Sequence, residues 1–378
     1  MSASSLSARQ ARVRPAAIEA NARRLADRAG DAALCAVVKA DGYGHGAVTA
    51  ARAALAGGAS SLAVSTIPEA LEITGCIQGD VPVLVLSETA PRSAADAAEC
   101  ADERVRFTVA SVPGIEALAA AGGPERSVHL NVDTGMHRMG VLPAELDSVA
   151  GALRAARDRL RLEGVWTHLA AADAPDDPFT AEQLARFDGA LARLRRRGLS
   201  PRVVHAANSA GLLAHPDARR DLVRAGIAVY GVAPSPELDG VVPLEPAMEL
   251  VSTVAAVRAV APGESVSYGR RWRAAEPTRV ATVAIGYADG VRRDSGAAGV
   301  EVLVRGRRCP ILGVVTMDQL MVALDPAVSR EVTTGDEVVL IGRQGAEEIT
   351  ATEIGERLAT IPYEVLTSIS ARVPRTIA

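Results

Sequence analysis

Lysine is almost absent from this sequence. Its 378 residues include 41 lysines and arginines, yet the only lysine is Lys39, in the segment LCAVVKADGYGHGA (34–47). A guanidinium stays protonated in proteins, whereas a desolvated ammonium can lose its proton and become a nucleophilic amine. Such an amine can form an imine with an aldehyde. Lys39 is therefore predicted to do chemistry that arginine cannot do. The alternative is that Lys39 has no such role and has simply not yet been replaced by arginine.

Cysteine is also scarce. The four cysteines are scattered without CxxC spacing, which argues against a zinc site and against a disulfide framework. They are Cys35, Cys76, Cys100 and Cys309. No metal is predicted. The net charge of −4 provides no basic footprint, so no nucleic-acid partner is predicted either.

Long apolar runs are missing as well. No run reaches the roughly 18 residues that a membrane-spanning helix needs. The first residues, MSASSLSARQ, are polar and lack the apolar core of a signal peptide. The sequence therefore predicts no membrane association and a cytoplasmic location.

Short apolar runs alternate with helical patterns over the first 230 or so residues. Eight candidate strands lie at 34–38, 61–65, 82–86, 105–109, 128–132, 162–168, 202–206 and 221–225. Continuous apolar strands separated by helices indicate a parallel sheet, and eight repeats indicate a closed (β/α)8 TIM barrel. A doubly wound open sheet is the alternative, but no GxGxxG follows the first strand.

The pattern changes after the Pro-rich acidic segment APSPELDGVVP. From 248 onward come alternating strands and turns, and a helical pattern returns only near the C-terminus. We predict an α/β barrel domain over 12–241, which carries the polar residues described next, and a mostly β domain over 242–378, to which residues 1–11 are expected to add.

Polar residues follow the candidate barrel strands, where function sits in this fold. They are Lys39, Arg138, His168, Asn208, Ser209 and Arg224. The amides of Gly226 and Ile227, after the eighth strand, could donate to a phosphate. Because these residues are predicted to lie at one rim of the barrel, they indicate a binding site there. A phosphate beside a lone lysine suggests pyridoxal phosphate.

Only five tyrosines occur in the chain. Tyr43 follows Lys39 in a Gly-flanked loop and could reach a phosphate. Tyr230 is predicted to pack against the barrel. Tyr268, in VSYG, and Tyr287, in IGYADG, lie near turns of the β domain. A tyrosine with a perturbed pKa can act as a general acid or base.

These motifs resemble those of the alanine racemases, the barrel-type (fold-type III) pyridoxal phosphate enzymes. The resemblance covers nearly the whole chain and includes VVKADGYGHG, VDTGMHRMG, HAANSAG, VRAGIAVYG, VSYG, IGYADG, TMDQ and PYEVLTSISARVPR. It implies a two-base racemisation of L-alanine and D-alanine that supplies D-alanine for peptidoglycan. It also implies a homodimer in which each active site combines one subunit's barrel with the other's β domain.

The resemblance carries roles onto individual residues. Lys39 and Tyr268 are the implied catalytic bases, and His168 is implied to tune Tyr268. Arg224 is implied to face the pyridine nitrogen of the cofactor. The implied cofactor-binding residues are Lys39, Tyr43, Arg138, His168, Asn208, Ser209, Arg224, Gly226, Ile227 and Tyr363. The implied substrate-binding residues are Arg138, Met317 and Asp318, with Tyr287 and Asp173 at the substrate entrance.

Three positions depart from the family pattern. Asn131 stands where many members have a carbamylated lysine that orients the arginine at 138, so we predict a chloride ion between Asn131 and a buried Arg138. Ala225 replaces a usual proline. Val314 replaces an arginine, and with Ala225 it could relax substrate choice toward serine.

Two other functions fit parts of the pattern. A non-catalytic carrier of pyridoxal phosphate would need only the barrel, so VSYG and TMDQ argue against it. A decarboxylase on the same two-domain plan would place an acidic group against the pyridine nitrogen, where Arg224 is implied here.

Overall fold

The computed structural model describes residues 8–88, Ala95, Ala98 and 102–378, so Cys100 lies outside the described residues. The chain forms two compact units. The barrel unit contains Ala16–Gly42 and Ala47–Glu245. The sheet unit contains the chain up to Pro15, Tyr43–Gly46 and Pro246–Ala378.

The described strands are short, as is usual for globular proteins. In chain order they are β1 (Gln10–Val13), β2 (Ala33–Val37), β3 (Ser61–Val64), β4 (Val83–Glu88), β5 (Val105–Val109), β6 (Arg126–Asn131), β7 (Leu160–Trp166), β8 (Val203–His205), β9 (Leu222–Ala225), β10 (Met248–Val260), β11 (Ser265–Val266), β12 (Trp272–Arg273), β13 (Thr278–Val283), β14 (Glu301–Val304), β15 (Arg307–Pro310), β16 (Leu320–Ala323), β17 (Glu337–Gln344), β18 (Glu347–Ile349) and β19 (Arg375–Ile377).

The described helices begin at side-chain caps or prolines in several cases. They are α1 (Pro15–Ala29), α2 (Lys39–Tyr43), α3 (Ala47–Ala56), α4 (Ile67–Cys76), α5 (Val112–Ala120), α6 (Leu146–Ala155), α7 (Phe179–Arg196), α8 (Ser209–Ala214), α9 (Ala351–Arg357) and α10 (Pro362–Thr367). In α4, the Thr66 side chain and Glu69 form a capping box.

The barrel unit contains eight parallel strands in the order β8–β7–β6–β5–β4–β3–β2–β9. Between β8 and β9, Asp221 N donates to Val204 O at 3.0 Å and Arg224 N donates to Ala207 O at 2.9 Å, which closes the ring. The predicted barrel is therefore confirmed, and the open-sheet alternative is wrong. Its strands are almost wholly buried because both faces are covered.

The sheet unit is mostly β, as predicted. Its main sheet runs β15–β14–β17–β10–β1–β19, with β13, β16 and β18 attached, and β11 pairs with β12. Strand β1 lies antiparallel to β10 and parallel to β19, so it belongs to this sheet. The domain bounds 12–241 and 242–378 stay a prediction.

In the part of the chain that the structure describes, no helix has the length and apolar character needed to cross a membrane.

Candidate active site

Lys39 follows directly after β2 and is half-buried. Burial lowers the pKa of its amine, the positive charge of Arg138 lowers it further, and the Glu69 carboxylate raises it. Desolvation favours the neutral form of an amine. The environment therefore increases the fraction of Lys39 that is unprotonated and nucleophilic.

The chain after Lys39 makes a left-handed turn. The φ angles of Ala40, Asp41 and Gly42 are 52°, 52° and 61°, and Tyr43 follows at 52°. This conformation costs about 1–2 kcal/mol at each non-glycine residue. Two hydrogen bonds hold it, from Ala40 N to Glu69 Oε1 at 2.9 Å and from Ala47 N to Asp41 Oδ1 at 2.8 Å.

Arg224 is buried in the barrel, with 3% of its surface exposed. Its Nη2 donates to Thr167 O at 2.9 Å and to Ala206 O at 3.1 Å, and its guanidinium lies 4.8 Å from the Trp166 ring centroid. Burial lowers its pKa to about 10, so it remains a cation at neutral pH. The barrel interior thus holds a fixed positive charge.

Two histidines that the sequence analysis did not identify support Arg224. Arg224 Nη1 donates to His205 Nδ1 at 2.9 Å, and His205 Nε2 lies 2.8 Å from His129 Nδ1. Because a guanidinium only donates, His205 must accept at Nδ1 and carry its proton on Nε2. Burial lowers the pKa of both rings, that of His129 to about 4, so the neutral form is favoured.

His168 follows β7 and adjoins the same guanidinium, with its Nδ1 3.4 Å from Arg224 Nη2. Burial lowers its pKa to about 3, and the charges of Arg224, Arg138 and Lys39 act in the same direction. The structure therefore brings Lys39, Arg138, His168 and Arg224 within electrostatic reach of one another.

Arg138 is exposed in the described chain, so the expectation that it is buried is wrong. It lies in the loop after β6, outside the covered barrel strands. Asn131 Nδ2 donates to Met139 O at 3.1 Å, which fixes the amide in the loop. Asn131, Arg138 and His168 nevertheless line one small cavity.

Ser209 and Gly226 lie together at the ends of β8 and β9. Gly226 N donates to Ser209 Oγ at 2.8 Å, and Ile227 follows in a buried turn. Asn208 caps α8 by accepting from Gly211 N at 2.9 Å. Phosphate binding by the Gly226 amide stays a prediction and requires the bond to Ser209 to open. Asp173, also in the barrel unit, is exposed.

Two of the predicted phosphate-binding tyrosines adjoin each other in the sheet unit. The rings of Tyr43 and Tyr363 lie 6.1 Å apart, between centroids, at an interplanar angle of 50°. Burial raises the pKa of Tyr43, so this phenol is a proton-bearing donor at neutral pH. Tyr230, in the barrel unit, is fully buried and donates to Val37 O at 2.9 Å, so its predicted packing role is confirmed.

The remaining predicted residues form an exposed group in the sheet unit. Tyr268 is 70% exposed, Met317 53% and Tyr287 40%. Tyr287 N donates to Thr316 O at 2.9 Å, which joins the two loops, and a side chain at Gly286 would collide with Met317 O. Asp318 pairs with Arg372 at 2.7 Å.

A buried aspartate that the sequence analysis does not identify stabilises the turn that carries Tyr287. Asp289 is fully buried, accepts from Gly286 N at 2.9 Å and pairs with Arg9 at 3.0 Å. It therefore ties the Tyr287 turn to the strand-forming N-terminal segment.

Comparisons with known proteins agree with this geometry. Residues 13–234 match the family model "Alanine racemase, N-terminal domain", and residues 247–377 match "Alanine racemase, C-terminal domain". An alanine racemase of Symbiobacterium thermophilum is 46% identical over 95% of this chain and 94% of its own length. One of Thermobifida fusca is 44% identical over 97% of each chain.

Solved structures show the same likeness. The alanine racemase of Bacillus anthracis with bound L-Ala-P has a TM-score of 0.91 and 39% identity, covering 98% of this chain and 95% of its own. That of the D-cycloserine-producing Streptomyces lavendulae has a TM-score of 0.90 and 38% identity, covering 98% and 97%. With both domain models matched in order along a barrel and a sheet unit, the chain belongs to the alanine racemase family.

Proposed function

We propose that this protein is an alanine racemase in which Lys39 and Tyr268 are the two bases that exchange the Cα proton of alanine. The observation that carries the assignment is the half-buried amine of Lys39, with a lowered pKa, whose charge acts together with that of the buried cation Arg224 on the His168 ring. Inversion at Cα needs one group that removes the proton and another that returns it from the opposite face.

The predicted cofactor-binding residues fit pyridoxal phosphate, on which the family depends. The single lysine offers an amine for the covalent link, and a buried guanidinium supplies a donor for the pyridine nitrogen. When bound, this cofactor delocalises the electron pair left at Cα. The residues that would hold it are Lys39, Tyr43, Arg138, His168, Asn208, Ser209, Arg224, Gly226, Ile227 and Tyr363.

Arg224 favours racemisation over other reactions of the cofactor. Its pKa of about 10 leaves it a donor, so it cannot stabilise a protonated pyridine nitrogen as a carboxylate would. A weaker electron sink shortens the lifetime of charge at Cα and disfavours transamination. The decarboxylase alternative needs an acidic group at this position.

Proton transfer on the other face is assigned to Tyr268 of the partner subunit. Tyr268, Met317 and Tyr287 are the exposed aromatic and apolar side chains of one loop group, as expected of residues that enter another subunit. Met317 and Asp318 would position the substrate carboxylate with Arg138. Tyr287 and Asp173 would line the entrance. A homodimer with shared sites therefore forms part of the proposal.

The cellular role follows from the reaction. We assign the protein to the cytoplasm, where it would supply D-alanine for peptidoglycan. Because Ala225 and Val314 depart from the family pattern in a way that could relax substrate choice, the proposal includes serine as a second substrate. A non-catalytic carrier would have no use for the exposed Tyr268.

Exchange in deuterated water tests the proposal. The holoenzyme with L-alanine should place deuterium at Cα of both enantiomers, because the proton that returns comes from a base in contact with solvent. Incorporation without inversion would indicate a single base. If neither deuterium incorporation nor inversion occurs, the protein would be a non-catalytic carrier of the cofactor. Release of carbon dioxide would indicate a decarboxylase.

We further propose that chloride occupies the cavity lined by Asn131, Arg138 and His168. A neutral amide at 131 brings no negative charge to the guanidinium, so an anion from solution can supply it. The activity of dialysed enzyme should rise when chloride replaces acetate or sulfate, and bicarbonate should have no effect. A flat chloride response, with no anion beside Arg138 in crystals grown with chloride, would contradict this.

A further inference from the structure

The carboxylate of Glu69 connects two neighbouring βα segments of the barrel. Glu69 lies in the first turn of α4, where its Oε2 accepts from Ser65 N at 2.8 Å and from Thr66 N at 3.0 Å. Its Oε1 accepts from Ala40 N at 2.9 Å. One carboxylate is thus bonded to the start of its own helix and to the residue that follows Lys39.

The hydrogen bond to Ala40 lies in a turn whose backbone conformation is unfavourable. Ala40 and Asp41 both have φ near 52°, a conformation that residues with a Cβ disfavour. The Glu69 bond fixes the first amide of the turn, and the bond from Ala47 N to Asp41 fixes its far end. The direction in which the chain leaves Lys39 therefore depends on Glu69.

Glu69 also acts on Lys39 through its charge. Among the groups that face the amine, Glu69 raises the pKa of Lys39, whereas Arg138 lowers it. His168, which faces the same amine, favours the neutral form because burial lowers its pKa to about 3. Glu69 and Arg138 thus shift the pKa of the amine in opposite directions.

We propose that Glu69 is a positioning residue for Lys39, holding it through the Ala40 amide in the orientation that the racemase site requires. The proposal rests on the assignment of Lys39 as the cofactor-linked base. Its variants remove different parts of this arrangement. Glu69→Ala removes the three hydrogen bonds and the charge. Glu69→Gln removes the charge and, because its amide nitrogen only donates, keeps an acceptor for the Ala40 amide or for the Ser65 and Thr66 amides, but not for both.

The single lysine makes the amine directly measurable. Reductive methylation of the apoenzyme with ¹³C-formaldehyde labels Lys39 and the α-amine, so an NMR titration follows the pKa of Lys39 itself. Glu69→Gln should lower this pKa, since a negative charge is lost, and should weaken affinity for pyridoxal phosphate less than Glu69→Ala does, since one acceptor remains. Glu69→Ala should weaken that affinity about tenfold or more and lower kcat, with little change in KM for L-alanine.

Glu145→Ala is the matched control. Glu145 accepts from Leu142 N at 3.1 Å in a comparable helix-start arrangement, away from Lys39. The proposal is overturned if Glu69→Ala and Glu145→Ala have the same cofactor affinity and kcat. If Glu69→Ala does not fold, a cofactor affinity and kcat in Glu69→Gln equal to those of the wild type overturn it instead.

A separate arm tests the assignment of Lys39. Borohydride should fix pyridoxyl at one peptide containing Lys39 in the wild type and in Glu69→Gln, and nowhere in Lys39→Arg. Fixation in Lys39→Arg would refute the assignment of Lys39, whatever the Glu69 variants show.

Discussion

At the residue scale, the two assigned bases have contrasting surroundings. Lys39 is half-buried among charges that lower its pKa, whereas Tyr268 is 70% exposed in the described chain. A base must approach the proton that it removes to within hydrogen-bonding distance. The assignment of Tyr268 therefore implies that it becomes enclosed when another subunit adds its barrel.

Replacing Tyr268 by phenylalanine removes only the phenolic oxygen. We expect exchange of the Cα proton from L-alanine to fall about 100-fold or more, in the range usual for a lost general base, with cofactor affinity nearly unchanged. Deuterium incorporation from each enantiomer, followed by NMR, measures this. Near-normal exchange from L-alanine in Tyr268→Phe would show that Tyr268 is not a base.

Single residues differ in how far the sequence reveals their roles. Lys39 stands out by composition alone, and Arg224 by its place in the last barrel strand. The Thr66–Glu69 capping pattern is local and visible, but the bond from Ala40 to Glu69 spans 29 positions and leaves no local signal. Arg138 is predicted to be buried because it follows a barrel strand, yet in the loop after β6 the residue is exposed.

At the element scale, the barrel strands were predicted to within about two residues at each end. Continuous apolar runs give a strong signal because both faces of a parallel strand are covered. The sequence analysis assigns no role to the histidines inside these strands. A polar side chain within an apolar run, as in VHLNV and RVVHA, is the signal that could have identified His129 and His205.

These buried histidines make the stability of the barrel depend on pH. In the unfolded chain they titrate near pH 6.5, whereas in the fold the pKa of His129 lies at about 4, that of His168 at about 3 and that of His205 well below its usual value. The unfolded state therefore binds more protons below pH 6.5. Stability is fully present above that pH and is lost as the pH falls toward 4.

Removing one histidine should flatten this dependence. We expect the free energy of unfolding of His205→Gln apoenzyme to fall less steeply with acidification, by up to about 1.4 kcal/mol per pH unit. Urea unfolding between pH 7.5 and 4.5 measures the slope. His137→Gln is the control, since the His137 side chain is 75% exposed. Equal slopes in wild type and His205→Gln would contradict the prediction.

At the scale of the whole molecule, the assigned bases belong to different compact units. Lys39 lies in the barrel unit and Tyr268 in the sheet unit. In a symmetric dimer, each barrel can take its second base from the other subunit's sheet unit, and the same contact occurs twice. One subunit alone would then be inactive even when it is correctly folded.

Mixing two inactive variants tests this arrangement. Lys39→Arg and Tyr268→Phe subunits, dissociated and reassembled together, should form heterodimers in which one site has both defects and the other has neither. Random pairing makes about half of the dimers mixed, so about one quarter of the wild-type racemase activity should return. If each site were built from a single subunit, every site in the mixture would keep one defect and no activity would return. The Lys39→Arg/Tyr268→Phe double variant, mixed with Lys39→Arg, is the control and should stay inactive, because no pairing of those subunits restores Lys39.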